Sequence, residues 1–321
     1  MKEIFKKAVA VVLTAAMAMS VGMPAFAAED ESILDDLANN IVQIEVVSDD
    51  SGAIVTTYTG LDTFVEKIHN EYPEITDYDI AEFMNKYTNQ YFEGMPEEEL
   101  LRILNYDNIS TSKQFVIINA DGTSNVSNEE ALPADTWTSA DGCMEITTSY
   151  TGYDSDETGV YYDVWSTANW LKYPTVRYQD AFTLGGTGEF DSNFAVSGYV
   201  LQFGYCNMCN HTTYRDRFVN DDRQYDSGLE LTYPGFPTLT FNPYYHVCEQ
   251  CSRIIGDSNF RAQIRYGVKA EGMRNLQAAY GHGTANITGI DVSFDSKGKP
   301  TFAGIGATVE TYYARPVTIN R

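Results

Sequence analysis

Two Cys-x-x-Cys pairs carry the most specific chemistry in the chain: Cys206-Asn207-Met208-Cys209 and, 38 residues later, Cys248-Glu249-Gln250-Cys251. Four thiolates are the donor set of a tetrahedral structural Zn2+ site, in which each pair makes a tight knuckle and two facing knuckles enclose one ion. His211 and His246 flank the pairs and are the substitute ligands if a cysteine stands aside. The gap exceeds the roughly 15–20 residues of a zinc ribbon, so the segment between the pairs is expected to be a folded excursion. A residue that tolerates positive φ helps the turn after each second cysteine; Asn210 suits this, Ser252 less so. The competing chemistry is disulfide formation, one pair bridged to the other, in an oxidising compartment. A redox dithiol is disfavoured, because neither pair sits in a thioredoxin-like βαβ pattern. Four protein ligands leave a metal no open coordination position, so such a site holds a fold together rather than catalysing a reaction.

Other residues could do chemistry. Asp154-Ser155-Asp156-Glu157-Thr158-Gly159 opens like a calcium loop, which makes Asp154, Asp156 and Thr158 candidate Ca2+ ligands. The twelfth position is Trp165 rather than a bidentate Glu, and a hairpin turn between two β-patterned runs explains the same residues. Cys143 is the fifth cysteine, and His282 lies in Gly281-His282-Gly283; a nucleophilic pair would need them to meet in space. The plainer readings are a buried apolar cysteine and a histidine in a turn. Trp165, Trp170 and Tyr173 are candidates for an aromatic face that stacks on sugars, against the alternative that they pack a core. There is no H-E-x-x-H, no G-x-S-x-G and no glycine-rich phosphate loop. The 45 Asp and Glu offer many carboxylate pairs for glycoside hydrolysis, and sequence spacing singles out none.

The first residues point to export. Lys2, Lys6 and Lys7 precede an apolar run, Ala8 to Met19, and Ala25-Phe26-Ala27 is an A-x-A site, so residues 1–27 read as a secretory signal peptide cleaved near Ala27–Ala28. No second hydrophobic span is expected. The full chain carries a net charge of −24, and removing a leader of charge +2 leaves about −26. That balance argues against nucleic acid and anionic membrane surfaces as partners.

These residues must be positioned by two kinds of structure. Residues 28–110 read as a small, mostly helical module. Its apolar stripes run through Ile33, Leu34 and Leu37, then Phe64, Val65 and Ile68, then Ile80, Phe83 and Met84, and last Leu100, Leu101 and Leu104. Thr76 with Asp79 makes a capping pattern, Pro96-Glu97-Glu98-Glu99 a helix start, and Asp49-Asp50-Ser51-Gly52 a hairpin turn. His69 is expected to face solvent. Residues 111–142 read as a strand and linker. From residue 143 to 321 short alternating runs separated by turns predict an antiparallel β domain, sandwich-like, carrying the two knuckles as an insertion. The expected fold is thus α+β.

Three classes of function are compatible with these features. The favoured one is a secreted, non-enzymatic β-sandwich protein that binds an extracellular glycan, wall component or protein and is pinned by a four-cysteine zinc site. The alternatives are a secreted hydrolase with an unassigned carboxylate pair and a secreted toxin or envelope component.

Overall fold

The computed structural model describes residues 28–89, 95, 97–119, 123–128, 142–155, 159–172, 178–188, 190, 196–206, 208–209, 211–220, 223–224, 229–232, 235–242, 246–248, 250–252, 254–255, 258–269, 271–284, 289–304 and 308–319. Residues 1–27, expected above to be a secretory signal peptide, therefore lie outside the described residues. Two compact units divide the chain, residues 1–40 and 41–321. Helix α1, Ala28–Ile41, begins in the first unit. The remaining elements belong to the second. Among the described residues, no helix is long and apolar enough to cross a membrane.

Strands β1 (Gln43–Ser48) and β2 (Ile54–Thr59) form the expected hairpin, closed by Asp49, whose Oδ1 accepts the Ser51 and Ala53 N–H groups at 2.9 and 3.0 Å. Helices α2 (Leu61–Glu71) and α3 (Asp77–Tyr87) follow. Both halves of the Thr76–Asp79 capping box form, so two otherwise unbonded N–H groups at the start of α3 are satisfied. Helix α4 (Glu97–Leu101) opens with three glutamates against its positive end and tightens into a 3-10 turn at Arg102–Asn105. Pro96 lies outside the described residues.

Strands β3 (Asn108–Ile118), β4 (Ser124–Ser127), β5 (Gly142–Ser155), β6 (Gly159–Lys172) and β7 (Asp180–Gly186) come next. They are followed by β8 (Ser197–Cys206), β9 (His211–Asn220), β10 (Arg223–Gln224), β11 (Leu229–Thr232) and β12 (Thr238–Phe241). The last group is β13 (His246–Val247), β14 (Ile254–Ile255), β15 (Ser258–Lys269), β16 (Asn275–Gly283), β17 (Ile290–Phe294), β18 (Pro300–Gly304), β19 (Val309–Tyr313) and β20 (Val317–Thr318).

A ten-stranded sheet runs β1-β2-β3-β5-β6-β15-β8-β9-β10 with β4 beside β3, and a six-stranded sheet runs β11-β12-β7-β16-β19 with β20 beside β16. All pairings within them are antiparallel among the described residues. The two sheets enclose one core, in which Trp170, Tyr280 and Tyr312 meet edge to face and Phe241 stacks on Phe260 at 5.0 Å. This is the sandwich-like α+β fold the alternating runs predict. The hairpin inside the expected helical module joins the large sheet: β2 pairs with β3 from Thr56↔Thr111 to Thr59↔Asn108, so only the helices between form a separate layer. β4 places part of the expected linker in the sheet as well, while residues 129–141 lie outside the described residues.

Strand periodicity sorts the side chains of β15 and β6. Phe260, Ala262, Ile264, Tyr266 and Val268 enter the core between the sheets. Gln263 and Arg265 alternate onto the outer face. There the helical layer lies over them through Glu99, Ile103 and Tyr106. Arg265 is the junction. Its Nε donates to both oxygens of Asp163 at 3.0 and 3.1 Å, its Nη1 to Glu99 at 2.9 Å, and its Nη2 to Tyr106 and Asp163. Burial works against that guanidinium's charge, but Asp163, Tyr106 and Glu99 hold it protonated, well above the usual arginine range.

Candidate metal centre

Cys206 is the last residue of β8 and pairs in register with His211, the first of β9, so Cys206 to Cys209 occupy the turn of that hairpin. The Cys209 N–H closes the turn on the Cys206 carbonyl at 3.3 Å. Cys248 and Cys251 occupy the turn between β13 and β14, where Val247 pairs with Ile254. These strands have two residues each, too short to hold a hairpin in water without further support. The Ser252 N–H reaches the Cys248 carbonyl at 2.7 Å, and Ser252 takes the left-handed conformation with φ 56°. The less suited residue thus adopts the knuckle geometry nonetheless. Asn210 lies outside the described residues.

The sheet explains why turns so far apart in sequence meet. β15 starts a few residues after Cys251 and runs antiparallel to β8, with Ser258 opposite Gly204. The end of β8 and the beginning of β15 are neighbours, so both knuckles lie at the same margin of the large sheet. The four sulfurs fall within 4.8 Å of one another, with Cys206 and Cys248 buried and Cys209 and Cys251 half-buried. Cys206 Sγ and Cys251 Sγ, one from each knuckle, are 3.7 Å apart. A tetrahedral ion with metal–sulfur bonds of about 2.3 Å has an edge of about 3.8 Å. A disulfide brings its sulfurs to about 2.05 Å, and none of the five cysteines is joined in one in this structure. The arrangement is compatible with a metal site built from four cysteines.

Its electrostatics point the same way. The N–H groups of Cys209 and Met208 converge on the Cys206 sulfur and bring its pKa down to about 7. Cys209, hydrogen-bonded to Cys251 and partly withdrawn from water, is pushed up to about 12. Four sulfurs this close share protons unless a cation lets all of them ionise. His211 and His246, the substitute ligands, head β9 and β13.

Ser252 offers a local test. An L-residue in the left-handed region costs on the order of 1 kcal/mol that glycine avoids. Ser252→Gly should raise stability by about 0.5–1 kcal/mol in the metal-loaded protein, measured by denaturant unfolding. Ser252→Val should lower it.

The remaining candidates fall elsewhere. Asp154 lies in β5 opposite Val160, and Asp156 and Thr158 lie outside the described residues. Trp165 and Trp170 do not share an exposed face. They are an odd number of positions apart on one strand, which puts them on opposite faces. Trp165 is 6% exposed and stacks on Tyr106 under the helical layer, and Trp170 is 1% exposed in the core. Tyr173 lies outside the described residues. His69 faces solvent as expected, beside Asp77 at 2.8 Å. Cys143 is a buried thiol at the start of β5, its pKa pushed up to about 11 by burial and by Glu145.

The turn expected at His282 is corrected: the residue sits inside β16 and is buried in the six-stranded sheet. Gly281 is there because a Cβ would lie 2.6 Å from the Phe302 ring, which covers the sheet's outer face. His282 lies in register between Asp180 on β7 and Glu310 on β19, its Nδ1 2.8 Å from Asp180, which also accepts the Tyr280 hydroxyl. Burial disfavours the imidazolium, but Asp180 and then Glu310 outweigh it and raise the pKa above 6.5. The stabilisation from a charged His282 is therefore complete below about pH 6.5 and is lost as pH rises through the higher folded value. Urea unfolding from about pH 6 to pH 8 should show that loss. His282→Gln should remove this component of the slope.

No protein-family model matches the chain, and no curated protein matches it either. Among solved structures, the Clostridium perfringens NetB toxin in its membrane-inserted form is similar at 7% identity, over 64% of this chain and 88% of that one, with a TM-score of 0.15. A likeness at that level carries neither fold nor function across.

Proposed function

We propose that this chain is an exported, non-enzymatic β-sandwich protein that binds a glycan, wall component or protein outside the cell. Cys206, Cys209, Cys248 and Cys251 hold a structural Zn2+ in it. The observation that carries the reading is the set of four sulfurs within 4.8 Å at one margin of the large sheet. All four positions of a tetrahedral ion are then filled by protein, which leaves none for substrate. Sulfur donors select Zn2+ or another soft ion over Ca2+ or Mg2+. Export is supported by the leader pattern of residues 1–27, and the charge of −24 opposes nucleic acid as a partner. Co-sedimentation of the metal-loaded protein with isolated cell walls and peptidoglycan, together with a glycan and surface-protein array, tests the binding role. Saturable binding with no turnover of the bound material is expected. Release of cleaved products from that material would instead make the chain an enzyme.

A further inference from the structure

Among the described residues, β1 is the outermost strand of the ten-stranded sheet, and every residue from Gln43 to Ser48 is exposed. Six large apolar side chains stand exposed among the described residues, and four of them, Ile44, Val46, Val47 and Ile54, belong to the β1–β2 hairpin. Alternation and the Ser48↔Ile54 pairing put Ile44, Val46 and Ile54 on one face of it. Sheet edges are normally blunted by lysine, proline or a bulge. β1 has none of these: it reads Gln-Ile-Glu-Val-Val-Ser, and its pairing with β2 is unbroken. Nor is the hairpin loose. Thr318 donates to Asp49 at 2.9 Å, Ser51 to the Pro316 carbonyl at 2.6 Å, and Arg315 to the Gly52 carbonyl at 2.9 Å, so its turn is fastened to the last strand of the chain.

We infer that β1 pairs with β1 of a second copy, antiparallel about a two-fold axis, making the large sheet continuous across two chains. Such a contact is isologous and closes at two. The two-fold axis sets a residue opposite its own copy, and the charge pattern chooses which. Centring on Glu45 would oppose two carboxylates, which is unfavourable in a cross-strand pair. Centring on Val46 sets Val46 against Val46, Glu45 against Val47 and Ile44 against Ser48, and merges the two apolar faces. A strongly acidic chain approaches its own copy most easily where charge is sparse, and Glu45 is the strand's one charge.

Light scattering on the eluting full protein over a concentration series is the experiment. A dimer is expected, with Val46→Lys halving the mass while the circular dichroism spectrum stays unchanged. Val46→Cys should give a disulfide-linked dimer under mild oxidation, and Glu45→Cys should not. A monomer at all concentrations, or a dimer that survives Val46→Lys, overturns the inference. Because the readout is mass, it is independent of whether the chain binds walls or glycans.

Discussion

Stripping the metal from the four-cysteine site should lower the melting temperature by about 10–20 °C. Structural zinc supplies about 10–16 kcal/mol of binding free energy in small peptides. Part of that is spent here on knuckles the sheet already positions, and about 5 kcal/mol of net loss corresponds to that shift for a chain of this size. The loss should begin locally. β13 and β14 have two residues each, and an ion held by the four cysteines would tie their turn to the end of β8. Hydrogen exchange after chelation should rise first in β13, β14 and the adjoining ends of β8 and β15, and later in the core strands. Cys248→Ser should reproduce both effects without chelator, because a hydroxyl is a poor replacement for a buried thiolate ligand. A melting temperature unchanged by chelator and by Cys248→Ser would mean the site contributes nothing to the fold.

Arg265→Met should cost about 3–5 kcal/mol, because it leaves the carboxylates of Asp163 and Glu99 facing each other with their shared cation gone. Both side chains are little exposed, at 14% and 8%, so water cannot take the arginine's place. The guanidinium also lies over the rings of Tyr106 and Trp165, at 5.8 and 5.9 Å, so packing is lost with charge. Arg265→Lys should recover only part of the loss, since an ammonium cannot reproduce the fork that spans Asp163, Glu99 and Tyr106. Because Glu99 and Tyr106 belong to the helical layer and Asp163 to the sheet, proteolysis of Arg265→Met should cut first within residues 60–106. Adding Asp163→Leu and Glu99→Gln to Arg265→Met should restore much of the stability. Denaturant unfolding measures all three, and a cost for Arg265→Met below about 0.5 kcal/mol would contradict the junction's role.

How much of this could be read from the chain depends on the range of the interaction. The knuckles were legible because thiol chemistry and i,i+3 spacing are local, and the Thr76 cap and the Asp49 turn are local too. The opposite orientation of Trp165 and Trp170 was also present in the sequence, since an odd separation on one strand reverses the face. The Arg265 junction was not. It needs β15 to lie beside β6 and α4 to fall across both, and nothing near Arg265 in sequence announces Asp163 or Glu99. His282 misleads for a related reason: its flanking glycines resemble a turn, while Gly281 is small because Phe302, far along the chain, packs where a side chain would stand. Gly298 shows the ordinary case, a true turn with φ 74° between β17 and β18.

The most direct measurement is metal content with a free-thiol count, on protein purified without chelator. One zinc per chain is predicted, with Cys206, Cys209, Cys248 and Cys251 unreactive until chelator is added and reactive afterwards. No metal, with those four cysteines unreactive until a reductant is added, would show two disulfides in place of the ion and would contradict the metal centre outright.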